Sequence, residues 1–383
     1  MQSAVALPGV ARESHGRNRF QELLAALDVR IDGTRPFDIR VHDERLFREA
    51  FARGIHGILD AYVDGWWDCE RLDELVARAL SADLNLPVAG RLSLLGRHLV
   101  ALLLNRQTRR RSLAVRRHYD LGNDLFRAML DKRMVYSGAY WSEAADLDQA
   151  QEAKQDLVCR KAALQPGMRV LDIGCGWGSF AKFAAERYGV TVVGITLSQN
   201  QLELGRSLCA GLPVELRLQD YRDLPRETFD AVVSIGMFEH VGYKNYRAFG
   251  QVVRRCLRAD GLFLLQTIGR KASGVRSDPW ISENIFPNSM LPSARQIAAG
   301  FEGLLLLEDW HSFGADYDKT LMAWWANFEA NWPALREKYG ERFYRMWRCY
   351  LLTCAGSFRA RDIQLWQIVF SQRGVPGGYR SIR

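Results

Sequence analysis

RVLDIGCGWGSFAKFAAERYGVTVVGITLSQNQ, residues 169–201, decides the fold. An apolar run at 170–173 carries one acid, Asp172, and glycines follow at alternate positions, Gly174, Gly176 and Gly178. Phe180, Phe183, Ala184 and Tyr188 then repeat at helical spacing, Gly189 is placed to cap that helix, and a second apolar run occupies 190–195. Strand, tight turn, helix and strand make one βαβ unit with a parallel crossover. Glycine in the turn lets backbone N–H groups come close to a ligand. The helix N-terminus adds a partial positive charge suited to a carboxylate or phosphate. A merely structural turn is the competing reading. Each glycine costs about 1 kcal/mol of chain entropy, so a cluster of them argues for a ligand.

Two ligands suit such a turn. A dinucleotide fold asks for G-x-G-x-x-G and an acid about 20 residues on for the ribose. Here the spacing is G-x-G-x-G, Ser179 stands where the third dinucleotide glycine would fall, and the second strand ends in Thr196, Leu197 and Ser198 with no acid. The spacing D-x-G-x-G-x-G resembles the S-adenosylmethionine-dependent methyltransferases. In that class the turn approaches the methionine end of the cofactor.

Downstream the alternation continues. A helix is expected at 199–210, a strand at 214–218 with QDYRDL at its tip, and a strand at 229–235 ending in GMFEHVG. A helix at 246–257 and a strand at 261–267 follow. This pattern gives an open, mostly parallel sheet with helices on both faces, and ligands lie at the carboxyl ends of such strands. Those ends supply Gly174, Gly176, Thr196, Asp220, Met237, Glu239, His240 and Gln266. Upstream, 148–165 reads as a helix leading into the first strand. The segments HYDLGNDLF (118–126) and VYSGAYW (135–141) read as ordered aromatic loops around short helices. Beyond residue 270 the alternation stops. DPWISENIFPN reads as a loop, EDWHSFGADYDKTLMAWWANF as turn signals running into a helix, and CAGSFRARDIQLWQIVFS as a helix start and a last strand. The aromatic residues of this tail suit either ordinary core or an apolar pocket beside the cofactor.

The N-terminal part is mainly helical. Residues 1–18 look frayed, 21–27 begin a short helix, 36–41 alternate like a strand, and 44–53 and 56–64 are helical. The adjacent Trp66 and Trp67 precede an amphipathic helix and suit core packing or an acyl-chain contact. Residues 91–118 hold eight arginines and no acid, with Leu92, Leu95, Leu99, Leu102 and Leu103 on one helical face. A basic amphipathic helix reads as membrane-surface or partner-binding, or else as a linker with solvated arginines. Nucleic acid is disfavoured, because the aromatics do not interleave with the arginines.

The 383 residues allow two or three domains, and 48% apolar content permits a large core. The net charge of +8 suits an acidic partner or an anionic membrane. Seven cysteines without a C-x-x-C pair, and no signal peptide, predict a reducing, cytoplasmic setting. The apolar run at 99–104 is far too short for a bilayer span, which takes about 20 residues. No metal-ligand spacing is present.

Taken in order, HYDLGNDLF, YSGAYW, VLDIGCGWGS, GITLSQNQ, QDYRDL, SIGMFEHVG, DPWISENIFPN, DWHSFGADYDKTLMAWW and CAGSFRARDIQLWQ resemble the cyclopropane-fatty-acyl-phospholipid synthase family from residue 118 to about 370, and DGWWDC matches upstream. The resemblance implies a Rossmann-like S-adenosylmethionine methyltransferase fold at 113–383. A smaller, mainly helical lipid- or membrane-docking domain would occupy 1–112. It implies that the methyl of S-adenosylmethionine passes to a cis double bond of a phospholipid acyl chain, that this methyl then loses a proton, and that the ring closes. The family's base is a bound bicarbonate. Tyr136, Ser137, Asp172, Gly174, Gly176, Gly178, Thr196, Ser198, Gln201, Gln219, Asp220 and Tyr221 would hold the cofactor. Glu239, Gln266, Tyr317 and Gly138 would surround the bicarbonate, and Cys354 of the CAG motif would line the site. The family commonly has cysteine or another small polar residue where this chain has Gly138, and histidine where it has Gln266. Implied partners are unsaturated phospholipids at an anionic membrane surface, met peripherally from the cytoplasm, and a second copy of the chain. A methyl-branching or amine methyltransferase on the same scaffold, and a lipid-binding homologue without turnover, are the rival readings.

Overall fold

The computed structural model describes residues 8–82, 121–275 and 278–383, with side chains from residue 15 onward. The basic stretch 91–118, the first part of HYDLGNDLF and the expected boundary near 112 lie outside the described residues. The elements run α1 (Pro8–Ala25), β1 (Arg40–Val41), α2 (Arg45–Arg53), α3 (Ile55–Val63), β2 (Trp67–Asp68), α4 (Leu72–Ser81), α5 (Asn123–Met129) and α6 (Leu147–Lys161). They continue with β3 (Arg169–Ile173), α7 (Ser179–Tyr188), β4 (Thr191–Thr196), α8 (Gln199–Leu208), β5 (Val214–Leu218), β6 (Phe229–Ile235), α9 (Tyr246–Cys256) and β7 (Leu257–Arg270). The last are α10 (Pro279–Asn284), α11 (Ala294–Phe301), β8 (Leu306–Ser312), α12 (Ala315–Arg359) and β9 (Ile363–Ser371).

The described residues fall into two compact units. Those up to residue 82 cluster with Trp332–Asp362, and those from 121 to Asn331 cluster with Ile363–Arg383. The division differs from a single boundary near residue 112, because the chain returns to the first unit through 332–362.

The second unit is built on seven strands in the order β5-β4-β3-β6-β7-β9-β8. Strands β5, β4, β3, β6 and β7 are parallel; β9 pairs antiparallel with both β7 and β8. Alternation along the strands sends residues to opposite faces. Leu171, Val193, Val232 and Phe263 join Phe249, Ile297 and Phe301 on one side, while Val170, Val192, Ala231 and Leu262 join Val158, Phe180 and Ala184 on the other. Both faces are therefore covered by helices, as parallel sheets require. The chain builds outward from β3 to β5, then returns to the other side of β3 with β6, so the order reverses between β3 and β6. A ligand crevice belongs at that reversal.

Local signals fix the elements that frame it. Gly178 (φ 78°) and Gly189 (φ 63°) bracket α7 in left-handed conformations. Ser198 caps α8 by accepting from the Gln201 N–H, and Asp146 caps α6 by accepting from that of Gln149. Four readings are corrected. Helix α1 begins at Pro8, ahead of the expected start near 21. DPWISENIFPN contains α10, with Pro279 at its first turn and Asp278 as its cap. EDWHS lies in edge strand β8, and CAGSFR ends α12 where a helix start was expected. An edge strand tolerates polar residues, and here Asp309 takes contacts from Ser381 and Arg383.

In the first unit Trp67 is core: its indole N–H donates to the Ile58 carbonyl and its ring meets Tyr62 edge-on. Trp66 is half-buried under the Arg45 guanidinium, 4.3 Å from its ring centroid. The returning part of α12 is tied to this unit through arginines. Arg345 donates to the Tyr62 and Trp67 carbonyls, and Arg348 to those of Cys69 and Glu70. Among the described residues, no helix is long and apolar enough to cross a membrane.

Candidate active site

A cavity opens at the carboxyl ends of β3, β4, β5 and β6, where the strand order reverses. It is lined by Tyr136, Ser137, Asp172, Gly174, Gly176, Thr196, Ser198, Gln201, Gln219, Asp220 and Tyr221, so all of the expected cofactor residues except Gly178 meet there. The glycines of the turn do different work. At Gly176 (φ 56°) an added Cβ would meet nothing within 4 Å, so that position faces open cavity. At Gly174 (φ 89°) it would stand 2.6 Å from the Cβ of Met237. At Gly178 it would stand 3.0 Å from the Cys209 sulfur and 3.1 Å from Leu216, so this glycine serves helix packing.

The polar groups of the wall are held in place by one another. The Thr196 hydroxyl donates to Gln201 Oε1 (2.8 Å), and the Gln219 amide donates to the Asp223 carbonyl (2.9 Å). Arg222 grips the Asp220 carboxylate through Nε (2.8 Å) and Nη2 (2.5 Å). The Ser137 hydroxyl accepts from Lys154 Nζ (3.0 Å), and its carbonyl accepts from Gln151 (2.8 Å). Asp131 accepts from the backbone N–H groups of Arg133 and Val135 and so shapes the segment that delivers Tyr136 and Ser137. Burial pushes Asp172 up to about 7 against the pull of Lys154. Burial also lowers Lys154 to about 8, against Asp131 and Asp172.

Next to this wall the expected proton-handling residues form a second group. Glu239 follows β6, two residues after Met237 and one before His240, both of which line the cavity. Its Oε1 accepts from the Ile268 N–H (2.6 Å), while Oε2 is buried and accepts no hydrogen bond among the described residues. Burial raises its carboxyl to about 7, against the hydrogen bonds from Ile268 and Thr267. Gln266, 1% exposed, donates to the Gly138 carbonyl (3.3 Å) and accepts from Gln367 (2.9 Å). Tyr317 packs on Gly138 so closely that a Cβ there would lie 2.7 Å from Tyr317 Cδ2 and 2.6 Å from Leu365 Cδ2. The structure thus brings Gly138, Gln266 and Tyr317 together, with Glu239 reaching the same strand, β7. Cys354 falls in the first unit, on the returning part of α12, and is half-buried.

An aromatic wall adjoins both groups. Tyr136 packs on Trp324, Phe126 and Phe286, Trp324 meets Tyr317 edge-on, and the His240 ring lies against Phe286. Burial lowers His240 to about 4, so the imidazole is neutral at pH 7. Cavity residues that the sequence reading passed over include Lys154, Gln155, Trp177 and Arg222. Lys154 and Gln155 sit in EAKQDL, inside the helix read at 148–165 with no side chain singled out. Their signal would have been Gln151, Lys154 and Gln155 at i, i+3 and i+4, on the same face as Val158.

An open, mostly parallel sheet with this strand order and a glycine-turn cavity at its reversal defines the S-adenosylmethionine methyltransferase fold. The residues present suit that cofactor, since Gly176 leaves open the space a side chain would fill. The family model described as mycolic acid cyclopropane synthetase matches residues 106–368, and the chain belongs to that family. It is 51% identical over 363 residues, 94% of each chain, to a cyclopropane-fatty-acyl-phospholipid synthase of Escherichia coli K12. To a probable fatty acid methyltransferase of Pseudomonas putida it is 41% identical, over 67% of this chain and 68% of that one. Among solved structures, the mycolic acid cyclopropane synthase CmaA1 complexed with SAH and CTAB is 36% identical, with a TM-score of 0.62, covering 68% of this chain and 97% of that one. The cyclopropane synthase MmaA2 of Mycobacterium tuberculosis is 32% identical with a TM-score of 0.64 over the same shares.

Proposed function

We propose that this chain converts the cis double bond of an unsaturated phospholipid acyl chain into a cyclopropane ring, with S-adenosylmethionine as the source of the added carbon. The observation that carries the reading is Glu239, buried beside residues that line the cofactor cavity, with an Oε2 that has no hydrogen-bond partner among the described residues. The cofactor supplies an electrophilic methyl. The chain's own residues must hold an alkene, a weak nucleophile, close and in line. They must also keep water from the positive charge that develops on the acyl chain. Tyr136, Phe286, Trp324 and Tyr317 offer apolar surface for the first task and π faces that favour positive charge for the second.

Glu239 is the group suited to receive a proton, since burial brings its carboxyl near neutrality. Gln266 cannot take a proton as an imidazole would; its amide holds the Gly138 carbonyl and Gln367. A bicarbonate would supply a weakly nucleophilic base, and Glu239, Tyr317 and Gly138 are the residues that would hold it, with the bicarbonate O–H donating to Glu239 Oε2. The Glu239 orphan acceptor fits that ion.

Expression in a host that lacks cyclopropane lipids, followed by fatty-acid analysis, tests the reading. Cyclopropane acyl chains are expected. A methyl-branched product, or unchanged lipid from a chain that binds the cofactor, overturns it in favour of the corresponding rival.

Membrane docking through the arginines of 91–118 belongs to the same proposal. A basic residue near an anionic surface contributes about 1 kcal/mol, screened by salt. Co-sedimentation with anionic vesicles should weaken as salt rises, and at low salt when Arg109, Arg110 and Arg111 become Gln. Equal binding to neutral vesicles would exclude that role.

A further inference from the structure

Helix α6 should bury an apolar face, and with Ala150, Leu157 and Val158 it does. Yet Gln151, Lys154 and Gln155, at i, i+3 and i+4, are also buried on it. Gln151 and Lys154 are explained in part by Ser137, whose carbonyl and hydroxyl they engage. Gln155 is not. It is 0% exposed and lines the cavity, and among the described residues neither Oε1 nor Nε2 has a hydrogen-bond partner. A buried amide with both ends unpaired is destabilising, and native proteins rarely retain one without a use. A helix interior accepts leucine or methionine there at no such cost.

The surroundings say what the amide would meet. S-adenosylmethionine is neutral over its adenosine part and zwitterionic over its amino-acid part. At the β5 side of the cavity, the Asp220 carboxylate is gripped by Arg222 and the Gln219 amide is engaged by Asp223. Around α6, Lys154 and Asp172 supply both signs of charge, and Gln155 supplies an unused donor and an unused acceptor. A carboxylate needs donors and an ammonium needs acceptors.

We propose that Gln155 binds the amino-acid end of the cofactor, its Nε2 donating to the carboxylate and its Oε1 accepting from the ammonium. The inference rests on the cofactor reading above and adds a residue to it, on helix α6.

Calorimetry with two probes tests it. S-adenosylhomocysteine carries the amino-acid end, and 5′-methylthioadenosine lacks it. Gln155→Met and Gln155→Leu should each weaken S-adenosylhomocysteine by about tenfold or more, the scale of a hydrogen bond to a charged group. They should leave methylthioadenosine binding unchanged and raise the melting temperature of the ligand-free protein. Opposite signs on affinity and stability mark a binding group kept at a structural cost; two variants guard against one that packs badly. Unchanged S-adenosylhomocysteine affinity, the result expected if Gln155 holds only water, overturns the proposal. Equal loss of both probes also overturns it. A wild-type chain that binds neither probe defeats the cofactor reading itself.

Discussion

Glu239 and Gly138 show how single residues here depend on partners far along the chain. The folded Glu239 carboxyl keeps its proton to about pH 7, whereas its ordinary value is 4.5. Between those values the folded state binds the extra proton, so this group's contribution to stability falls as pH rises. Glu239→Gln removes that slope, and its melting temperature should gain on wild type from pH 5 to pH 8. Its turnover should fall by about 10²-fold, the scale of lost acid–base assistance. Wild-type activity should climb through pH 7 as the carboxyl ionises; a flat profile, or a silent Glu239→Gln, removes the role. At Gly138 the structure leaves no room for a side chain. Leu365 and Tyr317 occupy the space of a side chain. Gly138→Cys should therefore destabilise by about 1–3 kcal/mol through overpacking. Leu365→Ala in the same chain should recover part of that loss, giving a favourable coupling above about 0.5 kcal/mol in a denaturation cycle. Additive effects would mean that the crowding is not what excludes a side chain.

At the scale of elements, legibility followed periodicity and punctuation. The unit β3–α7–β4 was readable because its strands are apolar runs and its helix is bracketed by Gly178 and Gly189, both left-handed. Gly174, Gly176, Thr196 and Asp220 of the cavity wall were readable because they lie at strand ends, which chain order reveals, whereas Tyr136, Ser137, Ser198 and Gln201 came from the family resemblance. Helix α6 was readable as a helix, but the burial of its polar face was not, since that face is the same in sequence as a solvated one; only the cavity tells them apart. Strand β8 was hidden for a related reason: Asp309, His311 and Ser312 read as turn formers, and their partners Arg383, Lys161 and Trp366 are distant in sequence. The turn itself yields a paired prediction. Gly174→Ala and Gly176→Ala both force a side chain to positive φ, which costs about 1 kcal/mol. At Gly174 the Cβ also strikes Met237, so the larger loss of melting temperature is expected there. Gly176→Val should keep native circular dichroism yet bind no S-adenosylhomocysteine, because its bulk enters the open cavity. Unchanged affinity would place the cofactor elsewhere.

For the whole molecule, the family model and the structure suggest different limits. The model runs from 106 to 368, and the MmaA2 and CmaA1 chains are matched over 97% of their length by 68% of this one. On that comparison the N-terminal residues look like a detachable module, and the family resemblance likewise implied a separate domain at 1–112. The physical contacts argue otherwise. The model's range includes Trp332–Asp362, which here belongs to the first unit. Gly356 sits so close to α4 that a Cβ would lie 2.5 Å from the Asp73 carbonyl. Asp73, 1% exposed, is paired with Arg71 and with Arg359 of the returning segment. Burial alone would raise its carboxyl, but those two arginines hold it below the ordinary range, so the pairing stabilises above that range and is lost as pH falls through the lowered value. Removing residues 1–82 would leave Arg345, Arg348 and Arg359 without these partners. It would also take away Asp73 and Val76, which pack on Gly356, from a segment that carries Trp347, Leu351, Leu352 and Phe358, all buried in the full chain. An apolar surface of that kind associates. The shortened chain should therefore aggregate or melt without a cooperative transition, even though it retains every cavity residue. Arg359→Met in the full chain isolates the same link more gently. It should destabilise by about 1–3 kcal/mol, below the 3–5 of a fully buried pair because Arg359 is partly exposed and Arg71 remains. A monodisperse 83–383 chain that melts cooperatively and binds S-adenosylhomocysteine would show residues 1–82 to be dispensable after all.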